Sequence, residues 1–185
     1  MKIALPLFSK VVIIKVGNSP VPATGITNVA YTKKRKPLEF YATFLDYDDV
    51  AIQHVRKDVK ALQLLYDLGT GFVWRTDKSS FHVAFPSLTN WVEQVMVLHS
   101  ANVDKAYKHE FVRYGERTLR VSGKGPKPAP VFKEILRAST NRPVSLAHVH
   151  YCMHSSGVAN GVLEQFNGGM WQTRLQIVKY HTSKY

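Results

Sequence analysis

Val11-Val12-Ile13-Ile14, four β-branched residues in a row between Lys10 and Lys15, disfavours helix and predicts a strand. Alternation around Phe40, Ala42 and Phe44 predicts another across residues 39–45. The period then lengthens. Ile52, Val55, Val59, Leu62 and Tyr66 recur at steps of three and four, the stripe of a helix of about 18 residues that Gly69 and Gly71 close. Asp46, Asp48 and Asp49 stand just ahead of it, where carboxylates complement a helix dipole, and are read as its start.

A short hairpin follows, with Phe72 to Arg75 facing Phe81 to Phe85 across Thr76-Asp77-Lys78-Ser79. Pro86 and Ser87 predict a second helix, with Leu88, Trp91, Val92, Val95 and Leu98 as its apolar face and Asn90 and Glu93 at capping-box spacing. Arg117 to Val121 reads as a strand, residues 122–130 (SGKGPKPAP) as a basic loop and residues 131–138 as a short helix. Val144 to His154 and Met170 to Tyr180 alternate with period two, and Asn18 to Gly25 and Lys33 to Pro37 read as loops. Strands and helices mix without a regular βαβ repeat. The expected class is α+β, a mostly antiparallel β-sheet packed by two or three helices, with a basic N-terminal strand and arm over residues 1–38 and a single domain over 39–185.

Composition adds a core: 45% of the 185 residues are hydrophobic and 21% charged. Charge changes the picture more. Lys and Arg number 25 against 13 Asp and Glu, a net charge of +12 that attracts polyanions or acidic surfaces. The imbalance is segregated. Residues 1–38 hold seven cations and no acid, residues 39–104 five against nine, residues 105–142 ten against three. An acid-free basic N-terminus is typical of organelle import, so a mitochondrial location is expected. The longest uncharged stretch, residues 143–163, includes His148, His150 and His154 and is too polar for a transmembrane segment.

Catalytic signatures are missing from the text of the sequence. Gly123-Lys124-Gly125 lacks the spacing of a P-loop, and Ala51 and Lys57 stand where an EF-hand needs Gly and Glu. Leu68 to Arg75 lacks the leading cation and the stacking aromatics of an RNA-recognition strand, so Phe72 and Trp74 are assigned to core and rim. A lone cysteine excludes an internal disulfide and any multi-Cys zinc module. On a strand, His148, His150, Cys152 and His154 would share one face. They would extend over about 20 Å, too long for all four to hold one ion. No metal or other cofactor is expected.

The basic segments carry the functional expectation. Lys33, Lys34, Arg35 and Lys36 form a tetrabasic run in the arm. Lys105, Lys108, Arg113, Arg117, Arg120, Lys124 and Lys127 interleave with Tyr107, Phe111 and Tyr114, cations for phosphates and aromatics for stacking bases or anchoring an interface. The expected function is a non-catalytic structural subunit that touches RNA and neighbouring proteins in a large ribonucleoprotein, such as a mitochondrial ribosome. The alternatives are an accessory subunit of another mitochondrial, membrane-bound complex, set against acidic proteins or lipid headgroups, and a metal-dependent enzyme using His148 and His150.

Overall fold

A computed structural model describes residues 2–7, 10–16, 23–31, 37–157, 170–171 and 176–181. The chain runs β1 (Lys2–Leu7), β2 (Lys10–Val16), β3 (Ala23–Thr27), β4 (Val29–Tyr31), β5 (Pro37–Tyr47), α1 (Ile52–Tyr66), β6 (Gly71–Arg75) and β7 (Phe81–Asn90). It continues through α2 (Trp91–Ser100), α3 (Lys105–Tyr114), β8 (Thr118–Arg120), β9 (Val131–Leu136), β10 (Val144–Ser145), α4 (Leu146–Ser156), β11 (Met170–Trp171) and β12 (Gln176–His181). The class is α+β, with mostly antiparallel sheets and four helices among the described residues.

The central sheet is built on β7. One edge of β7 pairs antiparallel with β5; the other is shared by β6 and β10, and β9 pairs with β6. Strands β6 and β7 and the second half of β5 are buried on both faces. Leu45, Val73, Val83 and Phe85 face α1, α2 and α3, together with Val59, Leu62, Val97 and Phe111. Ala42, Phe44, Phe72, Trp74 and Ala84 face the other way, onto Val149, Cys152 and Met153 of α4 and Ile26 and Leu119 of the second sheet. That second sheet has the order β1-β2-β12-β3-β8. Asn28 joins the two: its N–H donates to Arg117 O, and its own carbonyl accepts from Ala42 N.

The hairpin of β6 and β7 matches the sequence pattern, and α1 buries Val55, Val59 and Leu62 as its stripe requires. Several other expectations are corrected. The acidic knot does not start α1: Asp46 is still in β5, the N-cap is Ala51, and no acidic residue lies in the first turn. Pro86 and Ser87 do not open a helix. They are the extra residues of a bulge between Ala42↔Leu88 and Thr43↔Phe85, where a proline without an N–H breaks no ladder bond. Helix α2 therefore begins at Trp91, under the expected Asn90–Glu93 capping box. It turns Gln94, Val97 and Leu98 inward and leaves Trp91 and Val92 exposed. Part of the expected loop 18–25 is strand β3.

Two segments exchange identity. Residues 131–136 form an edge strand rather than a helix, with Val131 and Phe132 opposite Arg75 and Trp74. Residues 146–156 form a helix rather than a strand. Ser145 caps it, its hydroxyl accepting from His148 N, and Gly157 ends it at φ 67°. Among the described residues no helix is long and apolar enough to cross a membrane.

Candidate polyanion-binding surface

Loop 121–130 closes into a small hairpin. Lys124 N donates to Lys127 O at 2.9 Å and Lys127 N to Lys124 O at 3.1 Å, across Gly125 at φ 58° and Pro126. Positive φ at this turn suits glycine, and the proline limits the freedom lost on ordering. Arg120 clamps the base: one guanidinium nitrogen donates to Ser122 O at 2.7 Å and to Pro128 O at 2.6 Å. Lys124 and Lys127 are thereby held outward from a fixed loop, both exposed.

Beside this hairpin lies the turn between β6 and β7. A cleft of about 250 Å³ separates them, lined by Arg75 and Lys78 from one side and Pro128 and Val131 from the other. A second cleft, of about 410 Å³, shares Arg75 and Lys78 and adds Lys133 and the first residues of α1. Lys133 reaches this position through a bulge. Val73 pairs with Glu134 and Trp74 with Phe132, so Lys133 is the extra residue of β9. Arg75, Lys78, Lys124, Lys127 and Lys133 are all exposed, and none has a side-chain ion pair or hydrogen bond among the described residues. The acids here are engaged locally: Asp49 accepts from Ser79 Oγ, and Asp77 from Lys78 N.

No family model, curated protein or solved structure matches this chain.

The arginines of the basic segment have a different role from its lysines. Arg117 has only 10% of its side chain exposed; it pairs with Glu110 and lies 4.1 Å over the Tyr107 ring. Arg142 bonds Tyr66 O and pairs with Glu93, tying the end of α1 to the start of α2. Arg113 stacks at 5.2 Å on Tyr114, both exposed at the end of α3. Lys105 and Lys108 also ride on α3, Lys108 donating to His99 O. Neither lines the two clefts. Phe111 is completely buried, and Tyr107 is buried with its hydroxyl on Phe44 O, so the expected stacking role is corrected for both. Lys33, Lys34, Arg35 and Lys36 lie outside the described residues.

The histidine row is also reassigned, because α4 rotates successive residues by about 100°. His148 and Cys152 share the buried face, and His150 and His154 the exposed one. His148 is occupied. Its Nε2 donates to Thr27 O at 2.9 Å, leaving Nδ1 to accept from Ser145 Oγ at 2.6 Å. Burial pushes its pKa down to about 4, so it is neutral near pH 7. Burial raises the Cys152 thiol well above its ordinary range, which makes it a core residue and not a thiolate ligand. No cluster of three or more metal-ligating side chains occurs among the described residues.

Proposed function

We propose that this protein is a non-catalytic, RNA-associated structural subunit of a large ribonucleoprotein, contacting phosphates through the end of the central sheet. One observation carries the reading. Three exposed cations, Arg75, Lys78 and Lys133, line two clefts against the acids Asp49 and Asp77, the 122–130 hairpin beside them holds Lys124 and Lys127 outward, and none of the five cations has a side-chain ion pair or hydrogen bond among the described residues. Bringing like charges together costs Coulomb energy, and a polyanion recovers it while releasing its condensed counterions. The acid-free N-terminal segment supports a mitochondrial setting, such as the mitochondrial ribosome. The test is RNA affinity of the whole chain at low salt, with nuclease treatment of the native assembly. Binding that a Lys78→Gln/Lys124→Gln/Lys127→Gln variant loses is expected, whereas no binding at low salt would remove the reading.

A second reading has its own support. Leu64 and Leu65 on α1 and Val92 and Met96 on α2 are apolar and more than half exposed. Exposed apolar side chains of this kind favour contact with neighbouring proteins. An accessory subunit of another complex would use that surface and remain in its assembly after nuclease treatment.

A further inference from the structure

We infer that the larger cleft, at the start of α1, is a seat for one phosphate group, which fixes the position of the bound chain on the protein; this rests on the RNA reading above. Three cations from separate elements line it, Arg75 at the end of β6, Lys78 in the β6–β7 turn and Lys133 at the β9 bulge, against one acid, Asp49. Its floor is pinned, since Val50 N donates to Ser79 O at 2.9 Å and Ser79 Oγ to Asp49 Oδ1 at 3.2 Å. Asp49 adopts φ 54°, and no side chain caps α1.

The same cleft is lined by Ala51 and Ile52. The first intrahelical donor is His54, bonded to Ala51 O, so the amides of Ile52 and Gln53 precede the ladder. With no acid in the first turn, the positive end of a 15-residue helix adds to the three cations. A tetrahedral dianion or an RNA phosphodiester matches this arrangement, three cations and the uncapped start of α1 set against the single carboxylate of Asp49. A contact of this kind sets register and carries no sequence information.

The test is a titration of the full ¹⁵N-labelled chain, first with inorganic phosphate and then with single-stranded RNA, reading the amides of Ile52, Gln53 and Ser79. Phosphate should shift these amides in preference to those of Lys105 and Lys108, and Arg75→Gln/Lys133→Gln should weaken it roughly tenfold. Ala51→Asp supplies a built-in anion: it should raise the melting temperature and abolish the phosphate shifts. Uniform shifts over all basic residues, or phosphate binding unchanged by Ala51→Asp, would overturn the seat. RNA that binds without moving Ile52 and Gln53 would overturn it while leaving the RNA reading intact. Phosphate seated in the cleft without any RNA binding would keep the seat, for a free phosphate or phosphomonoester, and remove the RNA reading.

Discussion

Nε2 of His82 stands 3.4 Å from Oδ1 of Asp46, the two residues being direct register partners on β7 and β5. The imidazole also bonds the backbone of Arg120. Burial, and then the neighbouring Asp48, raise the Asp46 pKa to about 6, while burial and then Arg120 lower that of His82 to about 3. Close to neutral pH this contact is therefore not an ion pair.

The consequence for stability is a compensation. Between about pH 4 and 6 the native pair holds one proton, on Asp46, and the unfolded pair also holds one, on His82. The pair adds no slope in that window. In Asp46→Asn the lowered His82 pKa acts alone, so stability should rise relative to wild type as pH increases from about 4 to 6. In His82→Gln the raised Asp46 pKa acts alone, so stability should fall relative to wild type as pH increases from about 4 to 6. Urea denaturation across pH 4 to 6.5 checks this, and parallel curves for all three proteins would contradict it.

Arg117 and Arg120 should behave differently from the lysines they neighbour in sequence. Arg117→Gln removes a guanidinium held between Tyr107 and Glu110 and should cost about 1–3 kcal/mol of stability. Arg120→Gln releases both clamps on the 122–128 loop and should weaken RNA binding by loosening the turn that carries Lys124 and Lys127. Lys124→Gln/Lys127→Gln should leave stability within about 0.5 kcal/mol while lowering affinity. Paired denaturation and RNA titrations separate the three outcomes.

His148 fastens α4 to β3, so His148→Ala should cost about 2–4 kcal/mol by removing both bonds and leaving a cavity. Its lowered pKa also means that its contribution is present above about pH 6.5 and declines as pH falls through about 4. The variant should therefore lose more stability at pH 7 than at pH 4. An equal loss at both would show that His148 does not titrate as its surroundings require.

What the sequence revealed depended on which force shaped each element. The stripe of α1 and the β6–β7 hairpin were legible because burial imposes their periods directly. Helix α4 was hidden by histidines at alternate positions, which mimic a strand face; Ser145 and Gly157, its two caps, were the readable signal. Asp104 and Gly115 bracket α3 in the same way, around Tyr107 and Phe111. For the binding surface, segment sums misled. Arg75 and Lys78 lie in the net-acidic middle of the chain, and only the turn and the bulge at Lys133 bring them beside the 122–130 loop. Buried Arg117, conversely, is indistinguishable in sequence from an exposed cation.

The salt dependence of RNA binding tests the central claim most directly. Each phosphate neutralised on a single strand contributes about −0.7 to the slope of log affinity against log salt. If the end of the central sheet is the binding surface, Lys78→Gln/Lys124→Gln/Lys127→Gln should make that slope less negative by about 2, with the fold unchanged. A matched change on α3, Lys105→Gln/Lys108→Gln/Arg113→Gln, should leave the slope nearly as it was. Equal slopes for wild type and the first variant would contradict the account.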